Sequence, residues 1–514
     1  MALNWLIRSH RSTTVRSKNY TDEKMRGLSL EKLEDRTMPS VTIGASFDGM
    51  NITNNSCNCQ PPDTMEAAGP NHIVHMVNTA IEVFNKDGSI NMAPQSTMSF
   101  FGNHLGNHSD PNVMYDEAAG VFVAGILDFG STNAANLFDW ATGVDGPSGI
   151  TWTIQTPIPS GDGSNFWDYP RIGYNADDWF FEGNMFASNG SFAHVQVITV
   201  SKTGSVLNRH FDSSLFTLTP ARMHDTPANT EYFVESANGG GSSLQLVTEN
   251  DSTFSFTTQA VSVPAYQSGG SAPQGVPGFD DRIFTVAFRT VSGTPHLVAA
   301  HQVSSGRHGS AAPIGRIYDI NPATLTQTNF NTPAGVHGAA TFMPSADINT
   351  AGSIGFNFGE SARKEFWSMY VAEKPAGGAI QKPVKVASGV AISPDSRVGD
   401  FSNTTVDPAD GTTFWGANEY QGVDFWDTHL ASWSIAGAVK QPAIIATLPP
   451  RVQASDTRTM SSVASLSAID PKDTRGRAVV SQSAIQANAI RKSLAAVDRF
   501  WSEFLRRDAL ESVF

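Results

Sequence analysis

Cysteine is almost missing from this chain: 514 residues hold two, Cys57 and Cys59, with Asn58 between them. That excludes a small disulfide-stapled scaffold and leaves stability to burial, for which a chain of this length has ample material. The pair reads as two thiols or as an unusual local disulfide. A metal reading would need ligands from elsewhere, and His72 and His75 are near in sequence alone. Charge is scarce at 16%, and acidic residues outnumber basic ones 48 to 34. The basic residues gather at the ends: residues 1–40 carry 8 Lys/Arg against 5 Asp/Glu, and residues 451–514 carry 10 against 7. Residues 41–450 are left with 16 against 36, a net charge of −20. A body of that sign repels phosphate backbones and argues against a nucleic-acid partner. There is no apolar run of about 18 residues, so no membrane span is expected. Phosphate-binding loops, His-Glu-x-x-His phrases and Ser-His-Asp arrangements are absent as well.

What the sequence does contain is a repeat. An acidic or polar residue opens a β-type run at Asp63, Asp110, Asp168 and Asp400, with weaker copies at Asp225, Asp281 and His337. Successive starts lie 47, 58, 57, 56, 56 and 63 residues apart. A period near 55 residues matches a supersecondary unit of four short strands, which points to radial repetition rather than a doubly wound sheet. The strand grammar agrees. HIVHMVN alternates, AIEVFN follows, and Asp87-Gly88 supplies a hairpin turn; Lys202-Thr203-Gly204 does the same between HVQVITVS and SVLNRHF. With 44 Gly and 28 Pro to punctuate it, the chain reads as an all-β seven-bladed β-propeller over residues 41–450, six or eight blades remaining open. The Gly/Ser-rich stretches at 239–243 and 267–275 are loops, because the period runs through them.

Two phrases carry a family resemblance. MPSADINTAGSIGFNFGES and RVGDFSNTTVDPADGTTFWGANEYQG, with Pro61-Pro62-Asp63-Thr64-Met65, resemble blade phrases of exported bacterial β-propellers, and the likeness spans most of residues 60–436. Val398 stands where that family favours Trp, and Phe401 where it favours Tyr. The resemblance implies a secreted or cell-surface module and brings no agreed activity. Leu30-Glu31-Lys32-Leu33-Glu34-Asp35-Arg36 is similar to the Leu-Glu-x-Leu-Glu-x-Arg segment near the start of exported planctomycete proteins, so residues 1–40 are expected to serve export. At the other end, residues 451–480 read as a flexible linker and residues 481–514 as an amphipathic helix. Ile490, Leu494, Val497, Phe504 and Leu505 lie opposite Arg491, Lys492, Arg499, Arg506 and Arg507 in that helix.

Function has to come from side chains, since a propeller is only a scaffold. If the units superpose, Asp63, Asp110, Asp168, Asp225 and Asp400 recur at one radial position, where each either fixes a turn or joins in holding Ca2+, an ion that takes about six to eight oxygens. Asn78, Asn184 and Asn418 recur 15, 16 and 18 residues after the starts of their units. Asn418, Glu419 and Tyr420 form the most site-like cluster. Asp400, Glu419 and Glu182 are the carboxylates from which a glycoside hydrolase pair would be drawn. Arg171, Arg222, Arg282, Arg316 and Arg397 fall singly near blade starts, and a gathering of three at the channel would favour a sialidase-like reading. Most tryptophans suit packing between blades, and Trp167 and Trp426, in loops rich in Asp, Asn and Gly, are the candidates for exposure, one of them at most. These residues read best as a non-catalytic binding or surface-interaction module, monomeric, with a glycan or a surface protein as partner. The alternative is an extracellular glycoside hydrolase.

Overall fold

The computed structural model describes residues 40–435, apart from 56, 132–135, 226–228, 279, 307–310 and 395–396. The expected export segment, linker and C-terminal helix lie outside these residues.

Antiparallel hairpins follow one another along the chain, as the Asp-Gly and Gly-punctuated turns require, and group into seven blades. Blade 1 runs Met65–Ala68, His72–Val77, Ala80–Asn85 and Ile90–Ser96; blade 2 runs Asn107–Asp116, Val121–Phe129 and Asn136–Gly146, edged by Gly149–Ile154 and Ile158–Pro159. Blade 3 is Phe166–Tyr174, Asp178–Phe186, Phe192–Ser201 and Val206–Asp212; blade 4 is Thr219–Pro220, Glu231–Ser236, Gly240–Asn250 and Ser255–Gln267. Blade 5 comprises Ile283–Val291, Thr294–Ser304, Pro313–Asn321 and Thr326–Asn331, and blade 6 Ala340–Ile348, Ile354–Ala362, Glu365–Lys374 and Val384–Ala387. Blade 7 takes Asn403–Val406, Phe414–Gln421 and Trp426–Ile435 from the end of the domain and its outermost strand, Val41–Asn51, from the beginning. The fold is thus a seven-bladed β-propeller closed by pairing its two ends.

The core is spread between neighbouring blades rather than gathered at one centre. Because strand side chains alternate, Phe122 and Ala124 pack on blade 1 while Val123 and Leu127 of the same strand pack on blade 3. Equivalent layers join blades 3 and 4 through Phe180 and Phe233, 4 and 5 through Leu246 and Phe288, and 5 and 6 through Ile317 and Phe356. Met369 and Trp433 join blades 6 and 7, and Trp415 and Ile73 join blades 7 and 1, which completes the ring.

Blade 4 breaks the pattern. Its inner strand stops after Pro220, and Arg222–Met223 instead runs parallel between Tyr174 of blade 3 and Ala287–Phe288 of blade 5. For this reason Asp225 does not open a unit. It lies past the inner strand, where its carboxylate accepts the Thr290 N–H at 2.8 and 2.9 Å.

Candidate functional site

Each inner strand lines the channel, and in several blades a residue of positive φ precedes it or stands at a bulge early in it: Asp63 (53°), Asp110 (58°), Tyr169 (54°), Thr217 (53°) and Met343 (48°). This left-handed conformation is costly for a residue with a Cβ and persists where surrounding bonds enforce it. Here a side chain on the second strand of one blade, or just after it, holds that residue of the next. Asn78 Oδ1 accepts the Asp110 N–H at 2.8 Å, Asn184 Oδ1 accepts the Thr217 N–H at 2.9 Å, and Gln302 Oε1 accepts the Met343 N–H at 2.9 Å. Asp110 Oδ2 in turn accepts the Tyr169 N–H at 3.1 Å. The recurring Asn residues at 78 and 184 are latches between blades. Asn418 reaches back to blade 6 instead, donating to the Met343 carbonyl and to Asn357 Oδ1.

At the mouth formed by these entries, charged groups from blades 1, 2, 3, 5 and 7 converge. Arg397 Nη2 meets Asp400 Oδ2 at 2.5 Å, and Arg282 spans Asp280 (2.6 Å) and Asp400 Oδ1 (3.3 Å). Arg171 donates to the Tyr169 hydroxyl at 2.5 Å, and that hydroxyl donates to the Asp400 carbonyl at 3.1 Å. The Arg171 guanidinium lies 4.2 Å from the Phe401 ring centre, and that of Arg282 lies 3.9 Å from the Tyr169 ring centre. Burial pushes the Asp63 and Asp110 carboxyls up, reinforced by Asp400, and pushes Asp168 to about 8 with help from Asp110. Burial acts on Asp400 in the same direction, but Arg397 and Arg282 reverse it and hold that carboxyl below its ordinary value. Three guanidiniums thus stand among the carboxyl groups of Asp63, Asp110, Asp168, Asp280 and Asp400.

The far ends of the inner strands, about 16 Å along the channel by strand rise, build a second cluster. His224 lies between two carboxylates, Nδ1 at 2.7 Å from Glu117 Oε1 and Nε2 at 2.7 Å from Asp347 Oδ1. Arg222 approaches Asp347 at 3.4 Å and Arg289 approaches Glu117 at 3.6 Å. Burial opposes charge on His224, yet Asp347 and Glu117 raise its pKa; Glu117 and Asp347 are likewise held below their ordinary values against burial. Glu66, which lacks such a close counter-charge, is pushed by burial to about 8. The cavity bounded by Tyr115, Glu117, Tyr174, Arg222, His224 and Asp347 holds about 240 Å³ of empty space, part of it open. Much of that is open solvent, and the enclosed part is far smaller than an ordinary small-molecule site.

The structure separates the sequence candidates. Asp63, Asp110, Asp168 and Asp400 come together at the mouth, while Asp225 does not. Arg171, Arg282 and Arg397 gather there. Arg222 sits in the lower cavity, and Arg316 lies on an outer strand beside Asn331. Glu182 accepts the Leu218 N–H at 2.9 Å and Glu419 accepts the Gly399 N–H at 2.9 Å, both buried. Tyr420 points outward to Asp48. Trp167 and Trp426 are not exposed platforms: their relative exposures are 0% and 1%. A cross-strand glycine, Gly183, makes the slot for Trp167, and Trp426 donates to the Cys59 carbonyl. Cys57 and Cys59 are bonded to each other. His72 pairs with Asp145, and His75 bonds to the Met65 carbonyl and Thr428, so neither joins a metal site with the cysteines. The Glu117, His224 and Asp347 cluster was not anticipated. Its members are more than 100 residues apart in sequence and share no motif.

No protein-family model and no curated protein matches this chain. Among solved structures it is similar to a protein of unknown function from Dyadobacter fermentans DSM 18053 (9% identity, 77% of this chain and 100% of that chain, TM-score 0.43). It is also similar to the Dos1 propeller (10%, 77% and 95%, 0.37) and to an α-L-arabinofuranosidase of Fusarium graminearum (11%, 77% and 100%, 0.38). At these identities and scores the likenesses carry no argument about activity. No described helix is long and apolar enough to cross a membrane.

Proposed function

We propose that this chain is an exported recognition module that binds a carboxylate-bearing glycan at the channel mouth through Arg282 and Arg397, without hydrolysing it. One observation supports the reading above the rest. The candidate catalytic carboxylates are committed to holding the ring together, Asp400 to two guanidiniums and Glu182 and Glu419 to backbone N–H groups, while Arg397 and Arg282 reach solvent with side-chain exposures of 37% and 18%. A guanidinium fork matches a carboxylate in shape and charge. Tyr169 is a poor nucleophile because burial pushes its hydroxyl to about 12. Calcium at the mouth is not part of this reading, since the arginines there already supply the positive charge. Export rests on the segment before residue 40.

The test is retention of the full chain on immobilised polysaccharides, acidic and neutral, with released sugar assayed in the same wells. Retention confined to carboxylate-bearing polymers, lost in Arg397→Gln at unchanged melting temperature, is the expected result. Sugar release that disappears in Asp400→Asn or Glu419→Gln would replace the reading with a hydrolase.

A further inference from the structure

Blade 2 carries a cluster unrelated to the channel charges. The loop from Gly102 to Gly106 brings His104 over the edge of the blade, and His108 follows on the inner strand. His108 pairs across the ladder with Asp128, and Asp139 pairs with Ile126, two residues before Asp128. Side chains two apart along a strand share a face, so His108, Asp128 and Asp139 project from the same side of three adjacent strands. His104 closes over them.

Ligand atoms of His104, Asp128 and Asp139 lie within 4.8 Å of one another, and His108 Nε2 faces the same two carboxylates. His104 Nδ1 lies 2.9 Å from Asp139 Oδ2 and 3.8 Å from Asp128 Oδ2; His108 Nε2 lies 3.5 Å from Asp139 Oδ2 and 3.7 Å from Asp128 Oδ2. A tetrahedral ion with bonds of about 2.0–2.1 Å separates its ligands by about 3.3 Å, close to the middle of these values. The His108 side chain is fully buried, and its Nε2 has no hydrogen-bond partner. The second oxygens, Asp128 Oδ1 and Asp139 Oδ1, are also buried without one. A buried imidazole nitrogen without a hydrogen bond, beside two buried carboxylates each with an unbonded oxygen, is expensive unless a cation sits among them. The outer contacts are those of a prepared site. Thr97 Oγ1 bonds His108 Nδ1 at 2.9 Å, which leaves Nε2 to face the carboxylates, and Asp128 Oδ2 accepts the N–H groups of His104 and Leu105 at 3.0 and 2.9 Å.

We infer that His104, Asp128 and Asp139, with His108 beside them as a further ligand that a small shift would bring in, form a divalent transition-metal site, with Zn2+ the best fit. Two imidazoles and two carboxylates suit Zn2+, Mn2+, Fe2+ or Co2+, whereas Ca2+ prefers an all-oxygen shell of higher number. An ion held there would have a structural role. It fastens the Gly102–Gly106 loop to blade 2, two residues along the strand from Asp110 at the mouth. The His104 side chain, 41% exposed, provides the entry path.

The experiment uses the untagged full chain, stripped with a chelator and titrated with Zn2+, then with Co2+ for its visible spectrum and with Ca2+. One equivalent of Zn2+, a tetrahedral Co2+ spectrum and a raised melting temperature are expected. Losing an outer partner of a metal ligand already weakens binding about 10–100-fold, so His104→Ala, a change at an exposed side chain, is expected to lose at least tenfold. Asp139→Asn is expected to do the same. Absence of stoichiometric Zn2+ or Co2+ binding overturns the inference, as does binding unchanged in both variants. Stoichiometric Ca2+ uptake abolished by the same variants overturns the choice of metal.

Discussion

The backbone N–H of Asp400 donates to Asp63 Oδ1 at 2.7 Å, tying the start of the last blade to the start of the first. The same ends are joined at the rim, where Val41–Asn51 pairs with Trp426–Ile435. The ring is therefore closed twice, by a strand outside and by a carboxylate inside. Asp63 can serve in this way because Asn78 Nδ2 donates to its other oxygen at 2.6 Å. Asp63 and Asp110 thus have a physical task at the mouth, accepting N–H groups from a neighbouring blade.

Asn78 is the most heavily used latch. Its amide donates to the Pro61 carbonyl at 2.9 Å and to Asp63, and its carbonyl accepts from Asp110. Asn78→Ala would strand three buried groups, each worth about 1–3 kcal/mol when left without a partner. A loss of about 2–4 kcal/mol in denaturant unfolding is expected, with no change in the slope that reports exposed surface. A loss below about 0.5 kcal/mol would show that blade packing alone sets the entry conformation.

The lower cluster ties stability to pH. His224 has a folded pKa above its unfolded value of about 6.5, so its contribution is complete below that pH and is lost as pH rises through the folded value. Glu117 and Asp347 have lowered folded values, so theirs is present above about 4 and is lost in acid. With Arg222 and Arg289 permanently charged, the network is strongest between about pH 4.5 and 6.5. Buried acids raised to about 8, Glu66 and Asp168, add to the decline toward alkaline pH. The unfolding midpoint is expected to fall from pH 6 to 8.5, and to fall less steeply in His224→Gln. Equal slopes in the two proteins would mean that His224 is not the charged centre of this cluster.

The period of the repeat was legible because each blade is built from local hairpins whose turns need Gly or Asp-Gly, as at Gly88 with φ of 89°. Blade count followed from that period, whereas Asp63 and Asp110, expected to fix their own turns or to hold Ca2+, accept N–H groups from another blade. Asp225 misled because a two-residue inner strand leaves no pattern to read. The site was less legible because it depends on ring closure: Tyr169 meets residues 400 and 401, and His224 meets residues 117 and 347, and no spacing rule links them. His104 and His108 are four apart and visible as a pair, but only the cross-strand register sets Asp128 and Asp139 beneath them.

Trp167 shows the same limit at one residue and offers the last test. Its polar sequence neighbours suggested exposure, yet the ring lies flat across the next strand, where a Cβ on Gly183 would come within 1.8 Å of its Nε1 and 2.3 Å of its Cδ1. Gly183 has no positive φ to forbid a side chain, so the cost of Gly183→Ala is steric. Overpacking of this kind costs about 1–3 kcal/mol, and moving the indole also strains its bond to the Glu182 carbonyl at 3.3 Å. Red-shifted tryptophan emission and a lowered unfolding midpoint are expected. Trp167→Phe, which shortens the ring, should relieve part of that cost when combined with Gly183→Ala, a coupling of about 0.5–3 kcal/mol in a double-mutant cycle. Strictly additive effects would mean that the glycine is not there for the indole.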